Sequence, residues 1–380
     1  MLHKILKVHS LFAVSYISYI YLISGFIVNF LQLLTFLFIR TVSDKWGTKI
    51  NGYLQAFLFA IFTFVVEWHC KCNIRFFSHP EDMKNRKREH CLCICNHRGE
   101  VDWLLGYTLL ERLNVLEGCK CLIKKEAMYL PVIGWKMWFS DYMFLSRRWD
   151  TDQQIIKKTC KTWSNYDPHF NNNFYVLFAE GTRFTPAKHE ASVKFCEERG
   201  IEPFRNVLYP RTKGAVELIS QLGDTLGCVY DVVFAYPGNK TPGTWTMFAG
   251  QSTDVDIYFR RIDTANVPKK DKEAISDFIV QQFRDKDSLL DYHRKHQRFP
   301  GEQMSLPKRN ISLILFYIWS FLTVTPGFLS VYYLIVNQCF YMLAVLGFIC
   351  VLGGWISHTI ISAANVQKSA PNATEKQKGA

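Results

Sequence analysis

A histidine and an aspartate lie close together in the sequence where a strand would end. His97 follows the apolar run 91–95, and Asp102 opens the next apolar stretch. If the run is a strand and the stretch a helix, His97 lies at the carboxyl edge of a sheet, where α/β folds bind ligands. Asp102 could then fold back onto the imidazole, fix its tautomer and stabilise the cation formed on proton uptake. Such a pair would activate a hydroxyl group.

The same stretch has two other interpretations, an ordinary strand-to-helix turn and a metal site built on cysteines. The chain has 12 cysteines, and C-x-C patterns occur at Cys70/Cys72, Cys91/Cys93/Cys95 and Cys119/Cys121. Alternate residues of a strand share a face, and cysteine is commonly buried, so core packing explains these patterns better than zinc. We therefore expect reduced thiols and no bound metal.

Further polar clusters follow two other strand-like runs. Phe174–Phe178 leads into Glu180, Gly181, Thr182 and Arg183, and the run 206–209 leads into Pro210, Arg211 and Lys213 before a helix. A glycine lets the backbone approach a ligand closely, and an arginine fork suits a phosphate. These cations are expected at the same edge as His97.

The net charge indicates an anionic partner, and the aromatic content favours a membrane. The chain carries 45 Lys+Arg against 33 Asp+Glu, a net charge of +12, and 15% aromatic residues. Nucleic acid, phospholipid and phosphorylated substrates would all suit this charge. The basic run 84–88 is interpreted as a solvated loop, and because no RNA-binding or zinc-finger motif accompanies it, we expect no nucleic-acid partner.

Three apolar segments indicate membrane attachment. Residues 11–39 lack Lys, Arg, Asp and Glu and are long enough to span a bilayer, whereas the run 53–66 is short and suits an interfacial or re-entrant helix. Residues 310–367 lack these charges too and predict a helix pair joined near Asn337-Gln338, with a kink or break at Pro326-Gly327. Basic flanks place both ends of this pair in the cytosol, so the sequon at Asn372 should stay unmodified.

The segment between these regions alternates short β-rich runs with helical stretches, which predicts an α/β domain. The predicted strands are 91–95, 174–178, 228–236 and 254–262, and the predicted helices are 102–110, 153–163, 214–222 and 269–286. The expected organisation is membrane-anchoring helices in 1–66, an α/β domain in 67–309, a transmembrane helix pair in 310–367 and a disordered tail in 368–380.

Several motifs, in order, resemble those of the glycerolipid acyltransferase family. "NHRGEVD" and "FAEGTR" resemble its NHx₄D and EGTR motifs, and the stretches between and after them that resemble family patterns are "KKEAMYLPVIGW", "FLSRRW" and "VLYPRTKG". "YDVVFAYPGN", "KDSLLDY" and "FPGEQ" resemble the branch containing plant endoplasmic-reticulum lysophosphatidate acyltransferases and animal gamma and delta types. The likeness runs over residues 67–303.

This resemblance implies a glycerol-3-phosphate acyltransferase-like αβ domain with a mixed sheet, and roles for individual residues. His97 would be the general base and Asp102 its orienting carboxylate. Arg183 would hold the acceptor phosphate, in a loop formed with Glu180, Gly181 and Thr182. Weaker candidates for that phosphate or for coenzyme A, which could also be ordinary membrane-surface residues, are Arg147, Lys125, Pro210, Arg211 and Lys213.

The implied reaction transfers an acyl group from acyl-CoA to lysophosphatidic acid without a cofactor, in the endoplasmic reticulum membrane, with the site on the cytosolic side. The two N-terminal apolar runs would dock the domain on the bilayer and help form an acyl groove. Trp103, Trp135, Trp138 and Phe139 could line this groove or simply pack in the core. Two alternatives remain, an acyltransferase for lysophosphatidylinositol or lysocardiolipin, and a lipid-binding membrane protein without turnover.

Overall fold

The computed structural model describes residues 2–84, 86–342, 344–345, 347–348 and 351. The chain divides into two units, Met1–Ile318 and Trp319–Ala380. The helices are α1 (Leu2–Leu34), α2 (Asp44–Phe64), α3 (Pro80–Lys84), α4 (Asp102–Arg112), α5 (Ile133–Phe139), α6 (Trp149–Ser164), α7 (Pro186–Glu197), α8 (Thr212–Leu222), α9 (Thr244–Phe248), α10 (Lys272–His296) and α11 (Ile311–Val336).

One mixed sheet organises the first unit. Its strands are β1 (Asn73–Ser78), β2 (His90–Cys95), β3 (Cys119–Lys124), β4 (Met143–Leu145), β5 (Phe174–Phe178), β6 (Leu226–Ala235), β7 (Asp254–Asp263) and β8 (Glu302–Met304). Their order is β4-β3-β5-β2-β6-β7-β1-β8. The first five strands in this order run parallel, whereas β7 is antiparallel to β6 and β8 is antiparallel to β1. The expectation of an α/β fold with a mixed sheet is confirmed.

The two faces of β2 differ in composition because side chains alternate along a strand. Leu92 and Ile94 join a hydrophobic core with residues of α6, α8 and α10, including Ile156, Ile219 and Phe283. The cysteines of β2 therefore point to the opposite face, where they are buried as well. The burial of these cysteines agrees with the packing interpretation of the C-x-C pattern in this strand.

The second apolar segment forms a longer helix than the sequence predicted. Ser43 caps α2 by accepting a hydrogen bond from Trp46 N, and the helix continues to His69 through a wide turn at Val65–His69. The segment Asp44–His69 has 26 residues and, like Ser10–Ile39 and Ile311–Val336, is long and apolar enough to cross a membrane by length and composition. Because the first turns of α2 are polar, the apolar run 53–66 alone underestimated the length of the helix.

Other predictions about elements also need correction. The run 206–209 is not a strand, since these residues form an irregular loop. The sequence also missed β1, β3, β4, β8, α5 and α7. α11 stays helical through Pro326 and ends at Val336, where Asn337 and Gln338 form a turn. Most of the second helix predicted before residue 367 lies outside the described residues, as does Asn372.

Candidate active site

His97 and Asp102 meet at the carboxyl edge of the sheet. β2 ends at Cys95, and the next side chain, Asn96, clamps β6 by donating to Phe234 O at 3.1 Å and accepting from Phe234 N at 2.8 Å. The Nδ1 of His97 lies 2.9 Å from Oδ2 of Asp102. Because a carboxylate accepts, this contact places the proton on Nδ1 and leaves Nε2 as the basic nitrogen.

Asp102 is fully buried, while the His97 side chain keeps 21% of its surface exposed. Two further donors hold the carboxylate: Gly99 N at 2.8 Å from Oδ2, and the hydroxyl of Tyr236, which donates to Oδ1. A Cβ at Gly99 would lie 2.7 Å from the Tyr236 hydroxyl, so this turn requires glycine. Sequence reasoning missed Tyr236, because nothing in its local pattern shows that β6 ends beside β2.

Glu180 ties two loops of the site together. Its carboxylate accepts from the backbone nitrogens of His97 at 2.7 Å and Leu208 at 3.1 Å. Burial raises the pKa of Glu180 to about 8, although both of these hydrogen bonds act in the opposite direction. In this structure Glu180 thus fixes the backbone of the loops that carry the histidine and the cations.

Cations from separate segments converge on the turn formed by residues 181–183. Arg183 pairs with Glu100 at 3.0 Å. Gly181 has a φ of +67°, and a Cβ there would lie 2.8 Å from Cδ of Arg211, whose stem therefore covers this turn. Lys188, from the first turn of α7, contacts the Thr182 hydroxyl. Arg147, two residues after the end of β4, has the unusual φ of 64° for a residue with a side chain.

Not every predicted cation joins this group. The cation group consists of Lys188 and its four neighbours Arg183, Arg147, Lys124 and Arg211. Desolvation and the positive charges of these neighbours lower the pKa of Lys188. Lys124 ends β3, next to the predicted Lys125. No hydrogen bond or ion pair in the described part of the chain joins Lys125, Pro210 or Lys213 to this group, and the Lys213 ammonium lies 6.0 Å from the ring of Trp149. Neither Lys124 nor Lys188 was predicted as a site residue.

Two acyltransferase family models and several named acyltransferases match this chain. Residues 77–234 match the Acyltransferase family model, and residues 246–319 match the Acyltransferase C-terminus model. The 1-acyl-sn-glycerol-3-phosphate acyltransferase 3 of Arabidopsis thaliana is 32% identical over 93% of this chain and 94% of its own length. The 1-acyl-sn-glycerol-3-phosphate acyltransferase gamma of Homo sapiens is 31% identical over 82% of each chain.

The chain belongs to the 1-acyl-sn-glycerol-3-phosphate acyltransferase family. It is therefore an enzyme, and the alternative of a lipid-binding protein without turnover is set aside. A crystal structure of the 1-acyl-sn-glycerophosphate (LPA) acyltransferase PlsC from Thermotoga maritima aligns with 75% of this chain and 98% of its own, at 14% identity and a TM-score of 0.45. The three long apolar helices agree with a membrane-associated acyltransferase.

The acyltransferase has an apolar groove between α1 and the connection from β3 to β4. The groove has a volume of about 560 Å³ and is lined by Phe26, Asn29, Phe30, Leu33, Met128, Tyr129, Trp135, Trp138 and Phe139. The Lys124 end of β3 leads directly into the groove-lining residues Met128 and Tyr129. Trp103 does not line the groove, because its ring packs edge-on against Phe62, with centroids 5.0 Å apart.

A second feature that the sequence analysis missed is the anchoring of the loop 205–208 by α10. Asp287 accepts from Asn206 N at 2.6 Å, and Asp291 accepts from the Asn206 amide at 2.9 Å. Arg98 donates to Asn206 O at 3.0 Å. The acidic residues of "KDSLLDY" thus hold the loop 205–208, and Leu208 N of this loop donates to Glu180. These bonds give the motif a structural role.

One group of potential metal ligands occurs among the described residues. Glu89, Cys91 and Cys228 place donor atoms within 4.8 Å of one another. Structural zinc sites in proteins use four ligands, whereas this group offers three. The Glu89 carboxylate also pairs with Arg261 at 2.7 Å. These residues fit an ion pair beside two packed thiols better than a closed zinc site, and the absence of a metal stays a prediction.

Proposed function

We propose that this enzyme transfers a fatty acyl group from acyl-CoA to the sn-2 hydroxyl of 1-acylglycerol-3-phosphate and so makes phosphatidate. The observation that carries this proposal is the His97–Asp102 pair, 2.9 Å apart, at the same sheet edge as the cation group. A base beside a phosphate-binding surface suits an acceptor that carries both a hydroxyl and a phosphate. The names of the relatives support this choice of acceptor.

The reaction needs only groups that the chain and its two substrates supply. Nε2 of His97 removes the proton of the acceptor hydroxyl while Asp102 holds the ring and stabilises the imidazolium. The oxygen attacks the thioester carbonyl, the carbon–sulfur bond breaks, and the ester bond forms. The leaving thiolate of coenzyme A takes the proton back from His97. Neither a cofactor nor a covalent acyl-enzyme enters these steps.

Arg183 is proposed as the main ligand of the acceptor phosphate. Its guanidinium can donate to two phosphate oxygens at once, and its partner Glu100 would fix the side chain in the free enzyme. Arg147 and Arg211 would bind the same phosphate or those of coenzyme A. Lys125, Pro210 and Lys213 have less support, because no described hydrogen bond or ion pair links them to the cation group.

The apolar groove would hold a fatty acyl chain, since its walls are almost entirely apolar or aromatic. It opens beside α1, so a chain could enter from the bilayer without crossing water. We propose the endoplasmic reticulum membrane as the location, with the site on the cytosolic side. The proposed organisation is anchoring helices in 1–66, a catalytic domain in 67–309 and a membrane helix pair in 310–367.

The nearest rival uses the same chemistry on another lysophospholipid, such as lysophosphatidylinositol or a lysocardiolipin. The space beyond Arg183 would decide between a phosphate monoester and a larger headgroup. Membranes that contain the protein should be assayed with labelled oleoyl-CoA and a panel of lysophospholipids. Preference for lysophosphatidate supports the proposal, and preference for another acceptor leaves the chemistry intact but overturns the acceptor.

His97→Ala tests the base in the same assay. General-base assistance typically contributes a factor of about 10²–10⁴, so we expect activity to fall by at least about a hundredfold. His189→Ala is a matched control, because His189 is another partly buried histidine whose Nε2 lies near a backbone carbonyl, Phe204 O, at 2.8 Å. If His97→Ala, expressed at the same level, retains wild-type turnover, the assignment of the base is wrong.

A further inference from the structure

We infer that Lys188 and Thr182 form a phosphate-binding pair of this site. This inference rests on the proposed function, because it concerns the two phosphate-bearing substrates of the same reaction. Neither residue acts on the reacting hydroxyl. Their role would be to hold a phosphate group of the acceptor or of coenzyme A next to Arg183.

The local fold places Lys188 next to the turn that carries Thr182 and Arg183. Thr185 caps α7 by accepting from Lys188 N at 3.4 Å, and Pro186 occupies the first turn. This cap fixes the first turn of a 12-residue helix against the loop that carries Thr182 and Arg183. Because the Lys188 ammonium contacts the Thr182 hydroxyl, both groups could donate to oxygens of one phosphate.

The surroundings of Lys188 are short of negative charge. Its neighbours in the cation group are Arg183, Arg147, Lys124 and Arg211. Among the described residues, Arg183 has a carboxylate partner in Glu100, and no ion pair joins any of the other four cations to an acid. Like charges brought together without counter-charges raise the free energy of the empty site, and a phosphate would relieve this repulsion.

Burial and these charges lower the pKa of Lys188, which agrees with an ammonium that lacks an anionic partner. The backbone on both sides of the contact is also fixed. Gly181 holds its positive φ under the stem of Arg211. The Phe184 N donates to His97 O at 2.8 Å, so the turn is tied directly to the catalytic histidine. A phosphate bound here would therefore have a defined position relative to His97.

Kinetics of Lys188→Gln in the full-length enzyme would test this inference. The KM for 1-oleoyl lysophosphatidate should be measured at saturating oleoyl-CoA, and the KM for oleoyl-CoA at saturating lysophosphatidate. We expect one KM to rise about tenfold or more while kcat changes little, since a charge-assisted hydrogen bond is lost in both ground and transition states. The affected substrate identifies the source of the phosphate.

Two variants separate a binding role from a structural one. Lys188→Arg keeps the positive charge and should recover most of the affinity. Lys194→Gln removes an exposed cation from the same helix and should leave both KM values unchanged. If Lys188→Gln has wild-type KM values for both substrates, or if Lys188→Arg is as impaired as Lys188→Gln, the inference is wrong.

Equilibrium binding distinguishes this inference from the proposed function. The affinities of purified wild type and Lys188→Gln for 1-oleoyl lysophosphatidate and for coenzyme A should be measured separately by calorimetric titration in detergent. If the wild type shows no acyl transfer to lysophosphatidate but Lys188→Gln still binds one ligand about tenfold more weakly, the proposed function fails and the phosphate site stands. If the wild type is active and Lys188→Gln binds both ligands with wild-type affinity, the proposed function stands and the phosphate site fails.

Discussion

In the proposed mechanism, the strength of His97 as a base depends on how the Asp102 carboxylate is shared among its hydrogen-bond donors. Each of its oxygens has a donor from the protein besides the histidine: Gly99 N on Oδ2 and the Tyr236 hydroxyl on Oδ1. A carboxylate that accepts several hydrogen bonds spreads its charge among them. Tyr236 is therefore a positioning residue, which holds Asp102 in place and limits the charge that it presents to His97.

Tyr236→Phe tests this role while keeping the ring that fills the site. We expect kcat to fall by about tenfold, because a hydrogen bond to a charged group is lost and Asp102 gains freedom. The KM values for both substrates should stay close to those of the wild type, because Tyr236 contacts Asp102 and not a substrate. Initial rates at varied substrate concentrations measure both quantities.

The kcat per folded enzyme, with the folded fraction measured by thermal denaturation, separates positioning from loss of stability, which lowers only the amount of enzyme. Tyr230→Phe is the matched control, since Tyr230 is a buried tyrosine of β6, the strand that ends just before Tyr236, and its ring stacks with Phe174 at 6.1 Å. It should leave kcat unchanged. A Tyr236→Phe enzyme with the kcat of the wild type would exclude the positioning role.

Among the elements, the connection that forms the groove has an unusual backbone. Val132 has φ 66° and ψ −70°, and Ile133 N donates to Pro131 O at 2.8 Å. This is a γ-turn of the strained type, held by a buried β-branched residue. α1 packs directly on it, because a Cβ at Gly25 would lie 2.2 Å from Cγ1 of Val132. α1 and the groove are thus coupled through one close contact.

Gly25→Ala should disturb this contact. Added volume at a tightly packed position costs about 1–3 kcal/mol, so we expect a lower unfolding temperature and reduced transfer of long acyl chains as α1 moves away from α5. Thermal denaturation in detergent and assays with acyl-CoA donors of different length measure both effects. Gly106→Ala, in a helix where a Cβ would meet nothing within 4 Å, should be neutral or slightly stabilising. Equal stability of the two variants would contradict the coupling.

The sequence predicted those elements whose own pattern was distinct. The buried β-rich run gave β5 with its full bounds, and the polar turn after β2 correctly indicated that His97 and Asp102 meet. Short edge strands such as β4 and β8 have too few residues to show a period. The loop 206–209 was predicted as a strand because it contains a short apolar run. Hydrogen bonds from Asn206 to Asp287 and Asp291 of α10 determine its actual conformation. The contacts of Tyr236 and Lys188 depend on strand order, which no local pattern contains.

At the scale of the whole molecule, β3 connects the polar part of the site to the apolar groove. The parallel strands bring the His97–Asp102 pair and the cations to one edge, while α1 and α5 form the apolar groove that begins where β3 ends. Trp135 and Trp138 expose 43% and 45% of their surface there, which is typical of aromatic side chains at a membrane interface. This arrangement suits two amphiphilic substrates whose polar groups and chains must be held together.

A buried lysine links the C-terminal part of the first unit to the strands below the site. Lys286 of α10 is fully buried, pairs with Asp231 of β6, and donates to the carbonyl oxygens of Ile94 at 3.0 Å and Val232 at 3.2 Å. Since β2 carries His97 just after its end, this lysine fixes α10 against the strand that positions His97. Its loss would leave Asp231 and two carbonyl groups poorly paired in the interior.

Lys286→Met should therefore destabilise the whole unit rather than act on chemistry alone. Removing one partner of a buried ion pair typically costs about 3–5 kcal/mol, so the thermal midpoint should fall by on the order of 10 °C. Differential scanning calorimetry of the purified enzyme measures this change. Lys269→Met, which breaks the surface pair with Asp224, should leave the midpoint unchanged. If Lys286→Met unfolds at the wild-type temperature, the link between α10 and the sheet does not depend on this pair, and the carboxylates of Asp287 and Asp291 must hold the helix instead.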